Sequence, residues 1–239
     1  MLRYLFRRLL FTLPTLWIVS MLIFGLGKCS SIYDERLETT VAQSENIKVN
    51  FNSRELALRQ AAAELRTDKP VFYCSLTTAA YPDTLYRIWL PSERDRLSKL
   101  IAETGNWPAV QRFRDASRQA LSTLVETPDT FARLPVLRIA MDQISKSSSL
   151  AELIARAEKL TELRRQWVSI PAPLGAVLDT LQNACEELQT HLRPEQMLCP
   201  AFHWYGLNNQ YHDWISGFVT GNFGREKNDM LVAQIIRQP

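Results

Sequence analysis

An apolar run near the N-terminus constrains the fold of this chain more than any other feature. The run extends from Leu9 to Gly27 without one charged residue. As an α-helix rising about 1.5 Å per residue it would be about 28 Å long, which matches the hydrocarbon core of a bilayer. Pro14 lies inside it, and membrane helices tolerate proline because neighbouring groups can satisfy the freed carbonyl. We therefore predict one transmembrane helix.

The charges on either side of this run predict its orientation. Arg3, Arg7 and Arg8 precede it, whereas Lys28 follows it and leads into the mixed charges of residues 34–38. Because cationic residues next to a span stay in the cytoplasm, we expect the short N-terminus to be cytoplasmic. The remaining two hundred or so residues are then expected outside the cytoplasm.

Three other interpretations of this segment are open. A cleaved signal peptide has a shorter apolar region and an A-x-A-like site, and no such site follows Leu26. Cys29 suggests a lipoprotein cleavage site, although Lys28 stands where a small residue is expected. Gly27 and Lys28 resemble the end of a phosphate-binding loop, but its first glycine would fall on Leu22. We favour an uncleaved anchor.

The composition excludes several classes of protein. The 239 residues are enough for one span and one ordinary domain. A net charge of +3 gives no electrostatic footprint for nucleic acid. Four cysteines without C-x-x-C spacing indicate neither a zinc ribbon nor a thioredoxin-type site.

Helical patterns dominate the chain after the anchor, so we predict a mainly α protein. Its predicted segments are the N-terminus and span (1–28), a connector (29–51), a helical-bundle domain outside the cytoplasm (52–199) and a membrane-proximal segment (200–239). Predicted helix starts and stops are capping boxes at Asn52–Glu55 and Ser149–Glu152, a cap at Ser92, Gly105 as a stop, Pro108 as a start, and Thr127–Pro128 as a start with a kink at Pro135.

Two further patterns complete this prediction. An a/d seam is formed by Leu174, Leu178, Leu181, Cys185, Leu188 and Leu192. Residues 71–90 are rich in β-formers around a turn at Tyr81–Asp83, so they could form a small two-stranded element.

The C-terminal segment predicts an amphipathic helix at the membrane surface. Its apolar stripe is Tyr211, Trp214, Ile215, Phe218 and Val219. The stripe is too short to span a bilayer, and its aromatic residues suit the headgroup zone. Gly217 and Gly221 would let another backbone approach, and Gly221 and Gly224 should end the helix.

We find no pattern for catalysis. Cys199, His203, His212 and Asp213 are the one set of metal-capable side chains, but their spacing does not define a site. There is no G-x-S-x-G, and no serine or cysteine partner stands at diagnostic spacing from a histidine. We expect no enzyme, no cofactor and no metal.

The C-terminal residues resemble a family motif. Dipeptide/oligopeptide-type ABC importer permeases commonly carry Q-Y-x-x-W-[IL]-x-G-[FL]-[LV]-x-G-D-F-G before their second membrane helix. The matching positions here are Gln210, Tyr211, Trp214, Ile215, Gly217, Phe218, Gly221, Phe223, Gly224, Val232, Ile236 and Pro239. The start is similar too, through Arg3-Tyr4-Leu5, Arg7-Arg8, Pro14-Thr15 and Val19-Ser20.

The resemblance covers residues 1–26 and 208–239. Asn222 stands at the usual aspartate, Arg225-Glu226 replaces x-Ser, and Leu231 replaces a proline. Such permeases have about six membrane helices, whereas no second long apolar run occurs in this sequence. The resemblance therefore implies either the N-terminal part of a permease or a truncated product, with residues 52–199 as an enlarged insertion.

Two functions from different classes follow. The first is part of a bacterial inner-membrane permease for peptides or similar solutes, whose periplasmic domain caps the pathway or docks a solute-binding protein. The resemblance implies membrane lipid, a second permease subunit and ATPase subunits as further partners. The second is a signal- or lipid-anchored periplasmic interaction module without transport activity. The aromatic helix returning towards the membrane favours the first.

Overall fold

The computed structural model describes residues 2–29, 56, 59–60, 62–63, 67–127, 133–167 and 170–221. Within these ranges the protein is mainly helical, with a small two-stranded sheet. The predicted connector lies outside the described residues, as do the capping residues Asn52 and Glu55, although Leu56 and its described neighbours up to Ala63 are helical.

The predicted N-terminal helix is present as α1, Leu2–Cys29, and it continues through Pro14. Its segment Leu10–Lys28 has a mean hydropathy of 1.9 and is long and apolar enough to cross a membrane. Hydroxyl groups in this segment bond to carbonyls of the preceding turn. Thr15 donates to Thr12 O at 2.8 Å, and Ser20 donates to Trp17 O at 2.7 Å. The few polar groups of the apolar run are therefore satisfied within the helix.

Five of the described helices form the bundle that follows. They are α2 (Pro91–Thr104), α3 (Trp107–Glu126), α4 (Leu134–Ser145), α5 (Leu150–Arg165) and α6 (Ala172–Thr190). The long helices α3 and α6 pack most extensively, and α4 and α5 close the other side. Each helix contributes one buried stripe to a single core, which includes Leu100, Ile101, Val110, Phe113, Leu137, Met141, Leu153, Leu178 and Leu181.

Several predicted ends of these helices are confirmed. Gly105 adopts φ 66° after α2 and donates its backbone N–H to Ile101 O at 2.7 Å. The Ser149 hydroxyl accepts from Glu152 N at 3.3 Å, and Pro108 lies in the first turn of α3. Asn106, which is not among the predicted caps, also caps α3 by accepting from Ala109 N. The predicted ends depend on neighbouring residues only, which is why the sequence reveals them.

Two predictions about helix starts are wrong. Ser92 is not an N-cap, because α2 begins at Pro91 after Leu90, whose side chain makes no capping bond. Pro135 does not kink a helix, because it lies in the first turn of α4, which begins at Leu134. A proline there costs no hydrogen bond, since the first N–H groups of a helix have no intrahelical acceptor.

Two further bounds also differ from the prediction. Thr127 ends α3 and does not start the next helix, and Pro128 lies outside the described residues. The predicted seam is buried from Leu174 to Leu188, but α6 ends at Thr190 and Leu192 is exposed. The repeat at Leu192 is thus a coincidence of spacing beyond the helix end.

The small sheet joins distant parts of the chain. Strand β1 (Cys74–Thr78) pairs with β2 (Pro200–Trp204) in antiparallel register, and Ala79 N continues the pairing to Cys199 O at 2.8 Å. The prediction of a two-stranded element within residues 71–90 is therefore wrong about the partner strand. The residues after the Tyr81–Asp83 turn form a single 3₁₀ turn, Leu85–Arg87. The sheet also crosses the predicted boundary at 199/200, and that division stays a prediction.

The predicted amphipathic helix is α7, Gln210–Thr220. Asn209 caps it by accepting from His212 N at 2.8 Å, and Gly221 ends it at φ 72°. A β-carbon at Gly221 would have nothing within 4 Å, so no backbone approaches this glycine among the described residues.

Candidate functional site

Aromatic side chains from three parts of the chain meet beside the C-terminal half of α1. We call Phe24, Phe72, Tyr73, Tyr211 and Trp214 the aromatic cluster. Phe24 lies at its centre, with ring centroids 5.5 Å from Tyr211, 5.5 Å from Trp214 and 5.7 Å from Phe72. Aromatic pairs prefer such edge-on and tilted geometries. Each pair is worth about 0.5–1.5 kcal/mol in addition to the free energy of burying its surface.

Tyr211 connects α7 directly to α1. Its side chain is fully buried, and its hydroxyl lies 2.6 Å from the Ser20 hydroxyl. Ser20 lies eight residues before Lys28, so this bond is about 12 Å along the helix from the end of the apolar segment. A phenol buried beside an apolar helix needs a hydrogen-bond partner, and Ser20 supplies it.

The segment before β1 fixes where α7 begins. The N–H groups of Gln210 and Tyr211 donate to Pro70 O at 2.9 Å and Val71 O at 3.0 Å. These N–H groups belong to the first turn of α7 and have no acceptor inside the helix. Residues 70–71 thus act as a backbone cap that places Tyr211 against Ser20.

Side chains reinforce this junction on its polar side. Lys69 Nζ lies 2.6 Å from Asp213 Oδ2, and both side chains are about three-quarters buried. The Gln210 amide donates to Lys69 O at 2.6 Å. An acidic side chain in the first turn of α7 is also favoured by the helix dipole. The ion pair and the amide therefore fix the position of α7 relative to residue 69.

Tyr73 and His212 form the boundary of the cluster towards β1. The Tyr73 hydroxyl lies 3.3 Å from His212 Nδ1. Burial, and then the neighbouring Tyr211, raise the pKa of Tyr73 above its ordinary value. The Tyr73 phenol therefore stays protonated well into the alkaline range.

Much of the apolar stripe of α7 faces away from the cluster. Tyr211 is buried and Trp214 is 38% exposed, whereas Phe218 and Val219 are largely exposed. Trp214 and Phe218 stack with ring centroids 6.2 Å apart. The exposed part of the stripe is therefore its C-terminal end, at Phe218 and Val219.

The structure brings part of the predicted motif together. Gln210 and Tyr211 are buried, and Trp214 contacts Phe24. Gly217 lies within α7. Arg7, Arg8 and Pro14 are exposed near the other end of α1 and take no part in the cluster. Phe223 and Gly224 lie outside the described residues.

Sequence reasoning missed three members of the junction. Phe24 is predicted only as part of the apolar run, Ser20 only as part of that run and of the family resemblance, and Lys69 has no role in the predicted site. Ser20 gave no clear signal, because a serine in an apolar helix can donate to a carbonyl of the preceding turn, as Ser20 does to Trp17 O. The contact between Ser20 and Tyr211 joins residues 191 positions apart, so no local pattern could predict it.

The metal-capable residues are not gathered into a site. Among the described residues no group of three or more histidine, cysteine or acidic side chains could hold a metal ion. Asp213 pairs with Lys69 and His212 with Tyr73, while Cys199 is an exposed free thiol.

No family model, curated protein or solved structure matches this chain.

Proposed function

We propose that this chain is a membrane component of an ABC importer for peptides or similar solutes. It would correspond to the N-terminal part of a dipeptide/oligopeptide-type permease subunit in a bacterial inner membrane, with the helical bundle in the periplasm. The bundle would cap the pathway or dock a solute-binding protein. A second permease subunit and ATPase subunits would complete the transporter.

The contact between Ser20 and Tyr211 carries this proposal. The resemblance consists of two pieces, one in the apolar run and one around α7, separated by a long insertion. In the fold these two pieces touch, through the 2.6 Å hydroxyl pair and the rings of Phe24, Tyr211 and Trp214. This is the arrangement expected if residues after α7 lead back towards the membrane beside α1.

The surface of α1 supports its role as a span. Only 6% of the Leu10–Lys28 window is buried within the protein. An apolar helix in the core of a soluble protein would be mostly buried, because exposed apolar surface costs about 25 cal/mol per Å² in water. A lipid environment removes that cost. Arg7 and Arg8 before the span favour a cytoplasmic N-terminus by the positive-inside rule.

The same contacts disfavour a cleaved lipoprotein signal. Cleavage before Cys29 would remove Ser20 and Phe24 from the junction. Tyr211 would lose its hydroxyl partner, and Trp214 and Phe72 would lose the ring at the centre of the cluster. Retaining α1 keeps all of these contacts.

Peptide uptake tests the proposal. A strain lacking this chain should lose ATP-dependent uptake of labelled di- and oligopeptides, and the wild-type chain should restore it. Tyr211→Ala should restore little uptake, because it removes a fully buried ring and the hydroxyl contact that joins α7 to Ser20. Arg165→Ala is the matched control, since that side chain is 75% exposed and should not affect uptake.

Two results would contradict the proposal. Uptake that is unchanged in the deleted strain would exclude a transport role. A mature chain that begins with a lipid-modified Cys29, measured by mass spectrometry of the membrane-bound protein, would instead support the anchored interaction module.

A further inference from the structure

One face of the two-stranded sheet is apolar and largely exposed, although Thr78 at one end of it donates to Met197 Sδ at 3.8 Å. Opposite residues of an antiparallel pair project to the same side, so Leu76 and Phe202 share a face with Trp204. Their exposed fractions are 76%, 64% and 68%. The other members of this face are Cys74, Thr78 and Pro200, so the face carries no charge. We call it the outer face of the sheet.

The outer face begins next to the aromatic cluster. Tyr73 immediately precedes β1, and its carbonyl accepts from Tyr205 N at 2.8 Å just beyond β2. Phe72 contacts Phe24 of α1. Phe24 lies four residues before Lys28, which is about 6 Å along the helix. The end of the sheet that carries Trp204 is therefore attached to α1 about 6 Å before the end of its apolar segment.

Exposed apolar surface continues around this point. The exposed surface of α1 meets the Trp214–Phe218 stack of α7 at the cluster, and the outer face of the sheet begins two residues after Phe72, which also contacts Phe24. Tryptophan is enriched at the boundary between lipid and water, where its ring is buried and its N–H group stays hydrated. An uncharged apolar face attached beside the end of a span matches a lipid interface, and Lys28, 5.9 Å from the Phe24 centroid, would lie at the headgroup level.

We propose that the outer face of the sheet lies in the outer interfacial layer of the bilayer that α1 crosses, with Phe202 and Trp204 among the lipid headgroups and upper acyl chains. This inference rests on the proposed role of α1 as a membrane span. The protein then contacts the membrane in two ways, through a span and through a shallow apolar patch. The patch orients the helical bundle with respect to the membrane plane.

Site-directed fluorescence of the full chain in lipid nanodiscs tests this inference. The native cysteines are replaced, and single cysteines are introduced by Phe202→Cys, Val125→Cys or Leu22→Cys and labelled with an environment-sensitive dye. Phe202 and Val125 are equally exposed, at 64%, but Val125 lies in the helical bundle. Leu22 reports on α1 itself. Quenching is measured with spin-labelled lipids and with iodide, which reaches both sides of a nanodisc.

The dye at position 202 should be quenched by the spin-labelled lipids, like the dye at position 22. Its iodide quenching constant should be roughly threefold below that at position 125, because burial about 5–10 Å into the interface excludes the ion. Iodide quenching equal to that at position 125 would overturn the inference. Shielding from both iodide and lipid would also overturn it, since a second copy of the chain would then cover the face.

The dye at position 22 separates this inference from the proposed function. If position 22 is quenched by lipid and position 202 is not, the span is retained and only the interfacial contact is refuted. If neither position is quenched by lipid, the anchor itself fails, and the inference fails with it.

Discussion

Replacing Gly105 by alanine tests the close backbone packing between the end of α2 and the segment after α6. Gly105 ends α2 at φ 66°, a region that costs an L-residue about 1–2 kcal/mol. A β-carbon built there would lie 2.1 Å from Arg193 O and 2.6 Å from Arg193 C. These are backbone atoms, so no side-chain rotation can relieve the overlap.

The neighbouring hydrogen bonds prevent the two segments from separating freely. Arg193 N donates to Thr104 O at 2.8 Å, and the Asn106 amide donates to His191 O at 2.7 Å. Moving the segment around Arg193 away from Gly105 would strain or break both bonds, each worth about 1 kcal/mol. With the backbone cost, Gly105→Ala should reduce the free energy of unfolding by about 3–4 kcal/mol.

Two other glycines provide matched controls. Gly206 also has a positive φ, at 67°, but a β-carbon there would meet nothing within 4 Å, so Gly206→Ala should cost only about 1–2 kcal/mol. Gly175 lies inside α6 with open space around it, so Gly175→Ala should stabilise by about 0.5–1 kcal/mol. Unfolding of the full chain in detergent, followed by far-ultraviolet circular dichroism, measures all three. The reasoning is refuted if Gly105→Ala costs no more than Gly206→Ala.

Three further predictions concern the junction and the buried thiol. Tyr211→Phe and Ser20→Ala should each destabilise the chain by about 1 kcal/mol, and a double-mutant cycle should give a coupling near that value; additive effects would show that the hydroxyls do not interact. Asn209→Ala should cost about 1 kcal/mol in a detergent melt, because His212 N loses its acceptor, whereas Asn209→Asp should cost far less. Cys185 should resist maleimide until the chain unfolds, because burial, and then the charge of Glu186, raise its pKa to about 12. Since only the unfolded thiol ionises near its ordinary value of 9.0, stability should fall between about pH 9 and 12, and Cys185→Ala should abolish that part of the pH dependence.

The parts of the fold that the sequence predicts well are those decided within a few residues. Two helix ends illustrate this: the capping box at Ser149 and Glu152, and the left-handed glycine at Gly105. Each is recognised from the residue at the helix end and one or two residues next to it in the sequence. The seam from Leu174 to Leu188 follows from helical periodicity and one-sided burial. The apolar run is as long as a bilayer is thick and carries no charge, so α1 can be predicted without knowledge of its tertiary contacts.

The parts that were missed depend on distant partners. Strand β1 has the residue types of a strand, but nothing near Cys74–Thr78 indicates that its partner begins at Pro200. The periodicity correctly places Tyr211 in an apolar stripe. That its hydroxyl bonds to Ser20, however, depends on the position in which residues 70–71 hold α7. At Leu192 the local pattern predicts too much. The a/d spacing continues to this residue in the sequence, but the helix ends at Thr190 and Leu192 is exposed. Local patterns therefore identify the elements here, and the tertiary contacts assemble the candidate site.

The pairing at the far end of the sheet has a consequence for how this protein can vary. Ala79 and Cys199 are hydrogen-bonded neighbours, so all the residues between them leave the sheet and return to it at one place. A tight turn could in principle connect the same two points, because antiparallel strands can be joined by as few as two residues. The bundle is thus an insertion between the two strands. Its size and surface can change while α1, the sheet and α7 keep their mutual contacts. The surface of the bundle can therefore vary without any change to the contacts that join α7 to α1.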